Sequence, residues 1–94
     1  MRLDQDKRLT YYRIETASQV VGMPPATIRY YARVGLVRTR REGREELLDE
    51  QEIARLRRIR RLREDLGINT AGVEVVMRLL DELESLRARL AETR

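Results

Sequence analysis

Residues 16–37 read TASQVVGMPPATIRYYARVGLV, and the rest of the architecture can be worked out from them. Thr16 followed by Gln19 is a capping-box pattern, which predicts a first helix over about 16–22. Gly22 can adopt the positive φ of a tight turn, so it ends this helix. The segment therefore begins with a short helix and a turn.

A second helix is predicted over 25–34, because Pro25 suits the first helical position and Gly35 the position just past the end. Two helices joined by a glycine turn are typical of a helix-turn-helix, whose second helix enters the major groove of DNA. Helical periodicity turns Ile28, Tyr31 and Ala32 inward. The same periodicity predicts that Thr27, Arg29, Tyr30 and Arg33 face outward.

The next segment, LVRTRREGREELL over 36–48, predicts two short strands joined by a turn at Gly43. Asp49 with Glu52 is an N-cap signature that begins a third helix over 50–66. Its six arginines occupy the sides away from the apolar stripe and predict a solvated, basic face. They are Arg55, Arg57, Arg58, Arg60, Arg61 and Arg63.

A last helix is predicted after Gly67, capped by Asn69 or Thr70. Its apolar side holds Val73 and Leu80 and a two-heptad seam through which two copies would form a homodimer. The seam residues are Val76, Leu79, Leu83, Leu86 and Leu90. The chain thus divides into a flexible N-terminal arm (1–11), a winged helix-turn-helix domain (12–66) and a C-terminal interaction and dimerisation helix (67–94).

Composition narrows the function classes. The 94 residues include no Cys and no His, so thiolate or imidazole metal sites and Ser–His or Cys–His nucleophile pairs cannot form. We expect neither an enzyme nor a cofactor, metal or small-molecule ligand. No apolar run is long enough to cross a membrane, so a cytoplasmic protein is expected.

Charge is distributed unevenly along the chain, whose net charge is +4. Residues 1–44 carry ten basic and four acidic side chains, whereas residues 45–94 carry ten basic and twelve acidic ones. The front half therefore suits a polyanion, and the back half suits a basic protein surface.

The string GMPPATIRYYARVGLV, a β-turn and LLDEQEIARLRRIRRLRE together resemble the MerR family of winged-helix proteins over residues 12–66. The resemblance implies a mainly α winged helix-turn-helix with a small β-hairpin wing. It also implies that the second helix and the wing contact double-stranded DNA. The implied DNA-binding residues are Thr27, Arg29, Tyr30, Arg33 and Arg44.

The wing departs from the DNA-binding members, which usually carry an aromatic residue and an Arg before the third helix. Here that string is GREELL, so Glu45 and Glu46 would face the DNA backbone and lower affinity. This acidic wing and the tail LREDLGINTAGVEVVMRLLDELESLRARL resemble CbpM-type chaperone modulators, which bind the J-domain of DnaJ-class co-chaperones. The implied J-domain-binding residues are Asp65, Glu74, Asp81, Glu82 and Glu84.

HspR-type heat-shock repressors share the GIN-x-AGV string and a coiled-coil tail, although their wing usually keeps the Arg and Tyr missing here. Two interpretations therefore stay open. The leading one is a CbpM-like modulator of a DnaJ-class protein, and the alternative is a MerR-like or HspR-like DNA-binding transcriptional regulator.

Overall fold

The structure is a computed structural model, and it describes residues 9–93. This part of the chain is mainly helical with one small antiparallel sheet, which confirms the predicted winged helix-turn-helix class. None of its helices is long and apolar enough to cross a membrane. The elements are β1 (Tyr11–Arg13), α1 (Ile14–Val21), α2 (Pro25–Arg33), β2 (Arg40–Glu42), β3 (Glu45–Asp49), α3 (Glu50–Glu64) and α4 (Thr70–Glu92).

The wing is the predicted hairpin of β2 and β3, extended by a strand that the sequence did not predict. The sheet has the order β1-β3-β2, and β1 pairs Tyr12 with Leu48 of β3. Leu48 is fully buried, so this face of the sheet covers the core. Tyr11, assigned to the arm by sequence, is the first residue of β1, and residues 1–8 of that arm lie outside the described residues.

The first helix begins two residues earlier than predicted, so the assignment of Thr16 as its N-cap is wrong. The chain passes directly from β1 into α1, and Arg13 is the N-cap without a side-chain hydrogen bond. Burial of Ile14 against the core stabilises this earlier start. Gly22 ends the helix with φ 78°, as expected of a left-handed cap.

The other helix ends follow the predicted local signals. Pro25 occupies the first turn of α2. The Asp49 carboxylate accepts a hydrogen bond of 3.0 Å from the backbone N–H of Glu52 and caps α3. Asn69 caps α4 by accepting a 2.8 Å hydrogen bond from the N–H of Gly72.

The core is formed by one side of each helix and the inner face of the sheet. Ile28 and Tyr31 of α2 are buried at its centre, as predicted. The last helix contributes Val73 and Met77, with Leu80 partly buried beside them. The other core residues are Ile14, Ala17, Val21, Met23, Leu36, Val37, Leu48, Ile53, Leu56 and Ile59.

The predicted single apolar side of the last helix is wrong, because α4 has two. Val73 and Met77 are fully buried, whereas four leucines of the predicted seam are 44–62% exposed and Val76 is half-buried. At 3.6 residues per turn, the leucines lie roughly a third of a turn around the helix from the buried pair. The exposed leucines are Leu79, Leu83, Leu86 and Leu90.

Candidate nucleic-acid interface

One face of α2 is free of the core and carries two arginines. Ala26, Arg29 and Arg33 are exposed, and their spacing of three and four residues places them on one side of the helix. Ala26 was missing from the predicted contacts, although the same spacing could have identified it. Its small side chain would allow the backbone to come close to a flat or grooved partner. This face is the accessible side of α2, the recognition helix, which is the helix predicted to enter the major groove of DNA.

Thr27 and Tyr30 are less accessible than the sequence suggested, because both are half-buried at the edge of α2. The Tyr30 hydroxyl donates a 3.0 Å hydrogen bond to a carboxylate oxygen of Glu74 on α4. This bond raises the pKa of the Tyr30 hydroxyl above its ordinary value. The Arg33 guanidinium lies 5.8 Å from the centre of the Tyr30 ring. Tyr30 thus connects the recognition helix to the last helix.

The tip of the wing carries Arg44, which is exposed beside Gly43 at the turn between β2 and β3. The two wing carboxylates after it are engaged within the protein. Glu45 pairs with the Arg13 guanidinium, whose Nε donates a 2.7 Å hydrogen bond to the Glu45 carboxylate. Glu46 accepts a 3.2 Å hydrogen bond from the Thr39 hydroxyl. The wing therefore presents paired charges as well as the exposed Arg44.

A groove of about 520 Å³ lies between the wing, the start of α1 and the middle of α2. Arg13, Arg29 and Arg44 line it, so it brings together two of the predicted DNA contacts and one arginine from β1. Across it, Arg29 donates a 3.1 Å hydrogen bond to the carboxylate of Glu15. Arg13 was not predicted, because its place in the groove depends on the pairing of β1 with the distant β3.

Five of the six arginines of α3 are exposed, as the sequence predicted, and Arg55 is half-buried. Two of the exposed arginines also make hydrogen bonds to other elements. Arg60 donates a 2.8 Å hydrogen bond to the backbone carbonyl of Val21, and Arg63 donates a 3.2 Å hydrogen bond to the Tyr31 hydroxyl. The other three exposed arginines are Arg57, Arg58 and Arg61.

The predicted acidic binding residues do not form one face. Glu74 is half-buried against Tyr30, and Asp81 accepts hydrogen bonds of 2.7 and 3.2 Å from Arg55. Asp65 is not on α4 but is the C-cap residue of α3. Glu82 and Glu84 are exposed, and Asp81 is about half exposed beside Arg55. Among the described residues, no group of three possible ligand side chains is arranged to hold a metal.

The outer half of α4 is exposed along its whole length, from Asp81 to Thr93. Its apolar side chains are the exposed leucines of the predicted seam. A helical segment with so little support from the body of the protein is marginal in water on its own. A second helix packed on the leucines would supply that support.

Comparison with known proteins agrees with this geometry. A model of the MerR HTH family regulatory proteins matches residues 12–94. The chain is also 39% identical over 82 residues to a Streptomyces coelicolor protein that carries the provisional description heat shock protein HspR. The match covers 86% of this chain and 54% of that relative, so the chain spans about half the length of the relative. The helix-turn-helix, the hairpin wing and the extent of these matches show that the chain belongs to the MerR family of helix-turn-helix regulatory proteins.

Proposed function

We propose that this protein is a DNA-binding transcriptional regulator that recognises duplex DNA through α2 and the wing. The observation that supports the proposal most directly is the exposed face of α2, which carries Arg29 and Arg33 and contributes Arg29 to the groove that Arg13 and Arg44 also line. An exposed helix of this kind fits the major groove, and arginines read guanine edges or neutralise phosphates there. Similarity to a protein described as HspR supports a transcriptional regulator more than a chaperone modulator.

Two copies would act together, each reading one half of a two-fold symmetric site. The exposed leucines of α4 support a homodimer, because burying each such side chain contributes about 1.5–3 kcal/mol. The pairing would also cover the outer half of α4, which has little contact with the rest of the protein.

The test is selection of binding sites from a pool of random duplexes, followed by binding measurements as salt is raised. Affinity for the selected duplex should fall steeply with salt, because phosphate neutralisation releases counterions. Arg29→Ala should weaken binding by roughly 5- to 150-fold if the side chain reads a base. Arg57→Ala is the matched control, since Arg57 is exposed on α3 away from the groove, and it should change affinity by less than about twofold. Failure of the pool to yield any preferred sequence would exclude this function.

A second function is favoured by the exposed carboxylates on the outer half of α4: binding of a basic J-domain of a DnaJ-class co-chaperone. Glu82 and Glu84 are free to meet a basic helix, whereas Asp81 is already paired with Arg55. Charge complementarity of this kind sets partner choice and the rate of association.

The two functions can be separated by capture from a lysate with and without nuclease. The modulator function predicts recovery of a DnaJ-class protein in both samples, and Glu82→Lys with Glu84→Lys should abolish it. Loss of the captured protein after nuclease treatment, or unchanged capture by the double variant, would argue against it. Thermal unfolding of the double variant verifies that α4 is still formed.

A further inference from the structure

Two arginines on the DNA-facing side are each held by a carboxylate of the same chain. Arg13, at the end of β1, pairs with Glu45 at the start of β3. Arg29, on the exposed face of α2, pairs with Glu15 in the first turn of α1 at 3.1 Å. All four side chains line the same groove beside the wing. The two pairs are therefore one feature of the proposed DNA surface.

The sheet register explains the first pair. Arg13 lies opposite Leu47, and Glu45 is two residues before Leu47 on β3. Alternate residues of a strand share a face, so Glu45 and Arg13 lie on the same face of the sheet. Glu45 accepts hydrogen bonds from two nitrogens of the guanidinium and thereby raises the pKa of Arg13.

Both pairs remain open to solvent. Their side chains are between 45% and 69% exposed. Exposed ion pairs are weak, because water and salt screen them. A phosphate that enters the groove can therefore displace the carboxylate, but it must compete with it.

The groove as a whole is close to neutral, because its three arginines face an equal number of carboxylates. The carboxylates are Glu15, Glu45 and Glu46. Non-specific DNA binding depends on the phosphates that a protein neutralises, whereas site-specific binding gains additionally from contacts with base edges. In a non-specific complex Arg29 meets phosphates, for which Glu15 competes, whereas at the selected site a base contact made by Arg29 outweighs its exposed pair with Glu15. Balanced charge therefore reduces the non-specific component more strongly than the specific one.

We propose that Glu15 and Glu45 compete with DNA phosphates for Arg29 and Arg13 and so suppress non-specific DNA binding more than site-specific binding. The proposal rests on the DNA-binding function proposed above. It makes these two carboxylates determinants of specificity, although neither reads a base.

The test compares Glu15→Gln, Glu45→Gln and the double variant with the unmodified chain. The probes are a random-sequence duplex and the duplex recovered by selection, each measured from about 50 to about 200 mM salt. Each single variant should bind the random duplex up to about fivefold more tightly, and the two effects should multiply in the double variant. The slope of log affinity against log salt should steepen by about 0.9 for each carboxylate removed. Affinity for the selected duplex should rise less, so the specificity ratio should fall.

Two controls separate competition from a general change of charge. Glu64→Gln removes a carboxylate from the exposed Arg60–Glu64 pair, which lies outside the groove, and should change affinity by less than about twofold. Glu45→Gln should also lose its effect in an Arg13→Ala background, because the competition requires that arginine.

The outcomes distinguish this proposal from the function on which it rests. Binding of the selected duplex by the unmodified chain, with no gain for random duplex in the Gln variants, would overturn the proposal and leave the function standing. An equal gain from Glu64→Gln would also overturn it. Binding of duplex only by the double variant would support the competition and contradict the proposed function of the natural chain. Absence of binding in every variant would overturn both.

Discussion

Arg55 and Asp81 join α3 to α4 through two parallel hydrogen bonds. Nη1 of Arg55 donates to Oδ1 of Asp81 at 2.7 Å and Nη2 donates to Oδ2 at 3.2 Å. The remaining nitrogen, Nε, donates at 2.7 Å to the backbone carbonyl of Leu36, just past the recognition helix. One side chain thus fixes the last helix against the segment that follows α2.

Asp81→Asn should lower the free energy of unfolding near neutral pH by up to about 1 kcal/mol, because the amide keeps the shape of the side chain and loses its charge. Arg55 lowers the pKa of Asp81 in the folded state, so the folded protein binds this proton less readily than the unfolded chain. The stabilisation is present above a pH of about 4 and is lost as pH falls further. Urea unfolding at several pH values should therefore show the two proteins converging in acid. A constant difference at all pH values would contradict this account.

Gly22→Ala and Gly35→Ala should both destabilise the protein, because φ is 78° and 85° at the two positions and a Cβ is strained there. The cost at Gly35 should be about 1–2 kcal/mol, since a Cβ there would meet open space. At Gly22 a Cβ would lie 3.0 Å from Nη1 of Arg60, which donates to the Val21 carbonyl. Displacing that bond should add about 1 kcal/mol. Equal losses in urea unfolding would show that the Arg60 contact contributes nothing.

Tyr30→Phe should destabilise the protein slightly, because the hydrogen bond to Glu74 is lost while the ring still packs. Glu74→Gln keeps an acceptor for the hydroxyl and should cost less. The same Phe variant should retain most of its DNA affinity, since the hydroxyl is used within the protein. A large loss of affinity without loss of stability would instead make the hydroxyl a DNA contact.

Leu83→Asp should convert the expected dimer into monomers, because it buries an unpaired carboxylate in the contact between two copies. Ser85→Asp places the same group on another side of the outer half of α4 and should leave the assembly unchanged. Light scattering over a range of protein concentrations measures the molar mass of each variant and so distinguishes dimer from monomer. A monomer of the unmodified chain at high micromolar concentration would rule out pairing through the leucines.

Most signals confined to a few neighbouring residues were predictable from the sequence, and the capping box at Thr16 was the exception. The caps of α3 and α4 depend on side chains three residues from the amides they bind, so Asp49 was correctly placed and Asn69 was one of the two predicted candidates. Pro25 and the positive φ of Gly22 likewise follow from the residues themselves.

Features that depend on distant partners were not predictable. Strand β1 exists because Tyr12 pairs with Leu48, 36 residues away, and this pairing also brings Arg13 to Glu45. The link between Tyr30 and Glu74 spans 44 positions. The split of α4 into two apolar sides could not be foreseen either, since periodicity marks apolar positions without saying which neighbour each one meets.

In a dimer paired through the exposed leucines, the rotation of the outer half of α4 about its own axis would set the direction in which the partner faces. Each added residue advances the helix by about 1.5 Å and turns it by about 100°. If two copies pair through the leucines, one residue inserted after Asp81 would re-aim the partner's recognition helix away from its half-site, whereas seven inserted residues would nearly restore the original direction. Half-site spacing in the DNA would then be encoded in the length of a helix that never touches it.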